Sequence, residues 1–212
     1  MTEKILILSV PRAGSSRLAD ALHRIDQSYL KLAEPFNSNA PGYIADEARW
    51  KLDENIILKT VPPNTPHGLE HNTDLYLEFI LDVSKFFNKF IILKRRNVKE
   101  HWESWLNLHK KTSNNLDSHL AWSIDEIEGY NPGPNINYET IITPLNKICD
   151  SFSLEKNIPI TYYEDLFSFN RSKSKEEIEK WKLSDKFTYS HMLMELTSPT
   201  YRNRQDIKKP LI

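Results

Sequence analysis

The chain has 212 residues, 28 of them basic and 29 acidic, for a net charge of −1. That balance excludes a general coat for nucleic acid or an anionic membrane surface, so an anionic ligand has to be met by a local cluster. Apolar residues at 39% and charged residues at 27% are enough for a packed core, and predict a single domain over 1–212 rather than a disordered chain.

The one cysteine, Cys149, cannot form an internal disulfide, and no Cys/His spacing resembles a zinc site. The opening MTEKILILSV has an apolar run of only six residues and no basic leader, so it does not read as a secretory signal. No run approaches the roughly 20 apolar residues that cross a bilayer. These features predict a reduced, cytoplasmic chain with neither a nucleic acid nor a membrane as partner.

Lys4 to Ser9 (KILILS) is an apolar run that ends at Pro11 and Gly14, as a buried strand entering a turn does. Ser15 or Ser16 can cap the helix that follows, which carries Leu18, Ala21, Leu22 and Ile25 on one side. Asn55 to Thr60 (NIILKT) reads as a second buried strand, closed by Pro62-Pro63. Thr73 to Phe87 has helical spacing in Leu77, Ile80, Leu81 and Phe87. Phe90 to Leu93 is a third strand, and a helix with Val98, Trp102, Trp105 and His109 on one face follows it. Ile141, Ile142, Leu145, Ile148, Cys149 and Phe152 mark a long helix that buries the thiol, and Ile158 to Tyr163 is a fourth strand. Asn64 to Asn72 and Gly129 to Asn137 read as loops, and the basic tail after Ser198 as a segment that orders on ligand binding. Strands apolar on both faces, alternating with helices, predict an α/β fold of three layers with a mainly parallel central sheet flanked by helices. Ligands of such sheets bind outside the strands' carboxyl ends.

The segment SVPRAGSSRL, Ser9 to Leu18, stands at that edge. Gly14 lets the backbone approach a ligand, and the amides around Ala13, Gly14, Ser15, Ser16 and Arg17, with the positive end of the helix dipole, make an oxyanion cradle. The serine hydroxyls add donors, and Arg12 adds a guanidinium. A Walker A loop would need a second glycine and a lysine, G-x-x-x-x-G-K-[ST], and both are missing.

PRAGSS resembles the P-loop-like 5′-phosphosulfate loop of sulfotransferases that use 3′-phosphoadenosine 5′-phosphosulfate (PAPS), usually PKSGTT or PRSGTT. Ala13 departs from the usual serine, and Ser15-Ser16 replaces a threonine pair with its hydroxyls kept. In IILKRRNVKEHWESW, Arg96, Asn97 and Ser104 fall where that family has R-N/D and a serine eight residues after the arginine. Eight residues are a little over two helical turns, which keeps Ser104 on the side of Arg96. The resemblance assigns these two to the 3′-phosphate and leaves Trp102 and Trp105 to the core. ILKTVP resembles the family's K-T-x-x-P strand end, and Tyr163-Glu164-Asp165-Leu166 resembles a later Y-E-D-L, expected to cap the next helix. These four blocks span Lys4 to Leu166, and the stretch from Phe167 onward has no counterpart beyond a basic tail.

The resemblance implies sulfuryl transfer from PAPS to a hydroxyl of a carbohydrate or small molecule, with adenosine 3′,5′-bisphosphate as product and no required metal. The strands end in Lys59 and Lys94, not in the aspartate that a P-loop kinase uses for magnesium. Arg12 is the expected stabiliser of the leaving phosphate, with Lys59 a second cation. Val61 stands where cytosolic members have their histidine base. Glu34, in LKLAEPFN, is the first candidate to replace it and His67 the second, while His101 is expected to stack or cap. Arg202 and Arg204, in the tail, are further cofactor candidates. A P-loop-type small-molecule kinase and a catalytically silent nucleotide-binding module are the alternative readings.

Overall fold

The computed structural model describes residues 2–36, 50–62, 73–113, 137–167 and 171–197. His67, Arg202 and Arg204, and residues 64–72, 129–136 and 198–212, read above as loops and a tail, lie outside the described residues.

At the centre is β1 (Lys4–Ser9), whose Ile5, Leu6, Ile7 and Leu8 are all buried. Side chains of successive strand residues point to opposite faces, so four buried in a row mean that both faces are covered. Fully burying such a side chain contributes about 1.5–3 kcal/mol. β1 pairs on one side with β3 (Ile56–Thr60) and on the other with β4 (Lys89–Lys94). β2 (Leu30–Ala33) lies outside β3, and β5 (Ile160–Tyr162) outside β4. All four pairings are parallel, in the order β2-β3-β1-β4-β5. The fold is thus the expected α/β class, a parallel sheet between helices. β2 is an addition to the four strands predicted from the sequence.

Helix α1 (Ser15–Ile25) follows β1 and buries Leu18, Ala19, Ala21 and Leu22 against the sheet. Helix α2 (Thr73–Ser84) buries Tyr76, Ile80 and Val83. α3 (Val98–Ser113) leaves the end of β4, and Asn97 accepts from the Glu100 amide at 3.2 Å as its cap. α4 (Tyr138–Lys156) starts with a reciprocal Asn137–Thr140 capping box and stops at Asn157, which is left-handed at φ 52°. Cys149 is fully buried on α4, and desolvation pushes its thiol up to about 12, so it stays protonated and packs as a small apolar group.

The chain beyond β5, for which the sequence suggested no counterpart, forms α5 (Tyr163–Leu166), α6 (Arg171–Lys180) and α7 (Tyr189–Thr197). Ile178, Trp181, Phe187, Met192 and Leu196 from this region join the core. α7 packs on α1, where Arg24 pairs with Glu195 and Arg17 donates to the Leu196 carbonyl. Trp105 is buried as expected, whereas Trp102 is only half-buried and stacks flat on it at 4.8 Å. No helix among the described residues is long and apolar enough to cross a membrane.

Candidate anion-binding site

The sheet order sets the location. The chain moves from β1 to β2 and β3 on one side, then returns to β4 on the other, so the strand order reverses at β1. The crevice at such a switch point, past the carboxyl ends of β1 and β4, is where open parallel sheets bind ligands. Two segments meet there: the turn Val10–Gly14 after β1, and Arg95–Asn97 after β4.

The turn is built on two left-handed residues, Arg12 (φ 64°) and Gly14 (φ 84°). Gly14 serves as N-cap of α1 and has no side-chain cap hydrogen bond. The expectation that Ser15 or Ser16 caps this helix is therefore corrected, since Ser15 is already its first residue. No acidic residue occupies the first turn, and the amides of Ser15 and Ser16 have no carbonyl one turn earlier within the helix. A donor-rich helix start with no competing carboxylate in its first turn suits an anion.

Glycine is required at this cap on two counts. A left-handed backbone costs an L-residue about 1–2 kcal/mol. A β-carbon at Gly14 would also stand 2.8 Å from Cε2 of Phe167 and 2.9 Å from Cδ2 of Tyr163. These rings, 4.6 Å apart between centroids, form a wall against the turn. Arg95 lies over the Tyr163 ring at 4.5 Å and Arg17 over the Phe167 ring at 5.1 Å.

Arg12 reaches across the crevice, and its Nε donates to Ser104 Oγ on α3 at 3.1 Å. Burial lowers its pKa, and the neighbouring charge of Arg95 lowers it further. His101, fully buried one turn before Ser104, donates from Nε2 to the Pro11 carbonyl at 2.7 Å. Its Nδ1 accepts from Tyr138 at 3.3 Å, and Tyr138 in turn accepts from Asn146 at 3.2 Å. Burial is the main cause lowering the His101 pKa, consistent with a neutral ring that donates on one side and accepts on the other. His101 thus bolts α3 to the turn after β1, and its ring meets Tyr138 edge-on at 5.7 Å.

Arg96 is placed differently from its expected partnership with Ser104. Its two terminal nitrogens donate to the Asp165 carboxylate at 3.2 and 2.7 Å, and its guanidinium covers the Tyr162 ring at 4.1 Å. The amides of Arg96 and Asn97 donate to Glu164 at 2.9 and 3.1 Å. The Y-E-D-L residues thus brace the segment between β4 and α3. They form a short helical turn of their own, and Glu164 closes the amides that lead into α3.

On the other side of β1, Glu34 stands just past the end of β2, left-handed at φ 52°. Its amide donates to the Lys59 carbonyl at 2.8 Å, extending the β2–β3 ladder. Its carboxylate pairs with the Lys59 ammonium, which is 4% exposed. The expected second cation is thus neutralised by the expected base. Lys59 is on β3, next to β1, and Glu34 is one strand further out, past the end of β2. Arg12 and Glu34, two of the four residues picked for chemistry from the sequence, both hold the left-handed backbone that costs a non-glycine residue about 1–3 kcal/mol. Lys94 is engaged elsewhere, on Asp150 at 2.7 Å. Sequence reasoning missed Arg95, Tyr163 and Phe167, although the doubled arginine after a buried strand is a visible signal for the first.

No family model matches the chain, and no curated protein matches it. Among solved structures, the mouse sulfotransferase SULT7A1 complexed with PAP is similar over 99% of this chain and 67% of its own, with a TM-score of 0.52 and 14% identity. At that identity the likeness establishes the fold: this chain has the parallel α/β architecture of a sulfotransferase.

Proposed function

We propose that the chain is a sulfotransferase that takes a sulfuryl group from PAPS and gives it to a hydroxyl of a carbohydrate or small molecule. The observation that carries the reading is the hydrogen bond from Arg12 to Ser104, 92 residues apart in sequence. It joins, at the switch point of the sheet, the two segments whose motifs each resemble half of a PAPS site. The sulfotransferase fold and the complex of its mouse neighbour with PAP support the same reading.

PAPS, when bound, supplies a sulfur that is attacked as its bond to a phosphate oxygen breaks. The residues then divide the work. Amides at Gly14, Ser15 and Ser16 hold the phosphate side. Arg12 offers a half-buried guanidinium to the oxygen that leaves with the electron pair, a donor aimed where charge develops. Glu34, kept in place by Lys59, takes the proton of the acceptor hydroxyl as its oxygen bonds to sulfur. A carboxylate accepts through both oxygens, so an ion pair through Oε1 does not by itself use up that capacity. The transferred group carries little charge, so no step calls for a divalent ion, unlike phosphoryl transfer.

A thermal-shift comparison tests the nucleotide part of the reading. Ligand at 100 times its Kd stabilises the fold by about 2.7 kcal/mol, which for a chain of this length is roughly 5–11 °C in Tm. Adenosine 3′,5′-bisphosphate is expected to give such a shift without metal, and ATP with magnesium little. A large shift with ATP and magnesium alone would favour a kinase and remove the proposal.

A further inference from the structure

We propose that His101 is a positioning residue for the site: by taking the Pro11 carbonyl it holds the turn after β1 in the form that presents Arg12. The inference rests on the nucleotide reading above and adds a residue that touches no ligand.

Val10 to Ala13 is a four-residue β-turn, closed by the Ala13 amide on the Val10 carbonyl at 3.4 Å. Pro11 stands at its second position and Arg12, at φ 64°, at its third. A proline second and a left-handed third residue are the pattern of a type II turn, whose third residue is normally glycine or asparagine. A type I turn also takes proline second, but gives the third residue an ordinary negative φ. The two forms differ by a flip of the central peptide, here the one between Pro11 and Arg12. With arginine third, the turn left to itself favours type I. Strain of this kind persists only where the surroundings over-determine it.

Helix α3 supplies that constraint at two points. His101 Nε2 donates to the Pro11 carbonyl, the oxygen of the central peptide, at 2.7 Å. Ser104, three residues on and so beside it on the helix surface, holds the Arg12 side chain at 3.1 Å. In a type I turn the carbonyl would point the other way, and the fully buried His101 would lose its acceptor.

The bond also depends on which ring nitrogen carries the proton. A carbonyl only accepts, so Nε2 is the N–H and Nδ1 of the neutral ring is bare. Tyr138 donates to Nδ1 at 3.3 Å and accepts from Asn146 at 3.2 Å, which leaves its own proton for the histidine. A directed chain of donors thus runs from α4 through α3 into the turn.

Calorimetry on the full chain with adenosine 3′,5′-bisphosphate tests this. His101→Phe keeps a ring but releases the carbonyl. The fraction of competent turns, and with it the affinity, should fall about 5- to 30-fold, the left-handed cost read as a population ratio. His101→Gln, whose amide can still donate to the carbonyl, should stay within about threefold of wild type. Ile80→Ala, a core truncation on α2, should lower Tm yet leave affinity within about twofold. In an Arg12→Gly background glycine takes positive φ freely, so the further loss from His101→Phe should shrink to about twofold or less. Nitrogen-15 NMR at pH 7 should find Nε2 of His101 protonated and Nδ1 bare. If His101→Phe gives no cooperative melt, His101→Met is read by the same criteria, and the NMR result still decides. Near-normal affinity in His101→Phe, an undiminished loss in the glycine background, or a ring protonated at Nδ1 overturns the inference and leaves the nucleotide reading standing. A wild-type chain that binds no bisphosphate removes the nucleotide reading itself, and this inference with it.

Discussion

Glu34→Gln should lower sulfuryl-transfer turnover by about 10²- to 10⁴-fold, the range that general-base assistance supplies. The variant keeps shape and an acceptor for Lys59 but cannot take the acceptor's proton. Stability moves as well, because Lys59 is 4% exposed and loses its counter-charge. Breaking one side of a buried ion pair costs about 3–5 kcal/mol, and glutamine, which still accepts a hydrogen bond, should cost less than that. A lowered turnover alone would therefore be ambiguous. The double variant Glu34→Gln/Lys59→Met resolves it by removing both charges together. Its Tm should recover toward wild type while turnover stays low, read by thermal melts and single-turnover kinetics. If turnover returns with stability, Glu34 is only the counter-ion of a buried lysine and the base lies elsewhere, with His67 next to be tested.

Arg12→Gly should lower turnover by more than its stability loss explains. Removing one donor aimed at developing negative charge costs about 10²–10³ in turnover. The backbone effects nearly cancel. Glycine relieves the left-handed strain at φ 64°, about 1–2 kcal/mol, and gives back about 0.5–1 kcal/mol through its freer unfolded chain. The lost hydrogen bond to Ser104 adds a cost of about 1.5–3 kcal/mol, so the Tm should fall by about 3–12 °C while the fold stays cooperative and turnover falls. Turnover within about tenfold of wild type would mean that Arg12 is not the leaving-group donor, since a single lost oxyanion donor costs more.

The parts that were legible in the sequence are those set by local pattern. β1, β3, β4 and β5 are apolar runs bounded by turn residues, and α1 and α4 show their buried faces at helical spacing. The turn between β1 and α1 was legible because a glycine between a strand and a helix has a backbone reason to be there. β2 was missed because LKLA is four residues long and follows a helix with little punctuation. It exists because β3 offers it an edge, which is a tertiary cause. Helices α6 and α7 were missed for a related reason: α6 is nearly all polar, and it holds through Ser174, Glu177 and Ile178, which are buried only because α5 and α7 pack around it.

The candidate residues could be named from the sequence, but not how they pair. Motif spacing put Arg96 and Ser104 on the same side of a helix, which helical geometry allows. It could not foresee that Asp165, 69 residues on, would take the Arg96 fork, or that Ser104 would meet Arg12. Glu34 and Lys59 were each selected as reactive groups in isolation. The parallel register that sets Ala33 beside Lys59 turns them into one ion pair.

The central claim is that sulfur, not phosphorus, moves at this site. Its most direct test is transfer of radiolabelled sulfate from PAPS to a panel of sugar, alcohol and phenol acceptors, in the presence of EDTA. The account predicts label on at least one hydroxyl acceptor, with one adenosine 3′,5′-bisphosphate released per label transferred and no loss of rate on removing metal. Tight binding of the bisphosphate with no label on any acceptor would contradict it and leave a nucleotide-binding module in place of an enzyme.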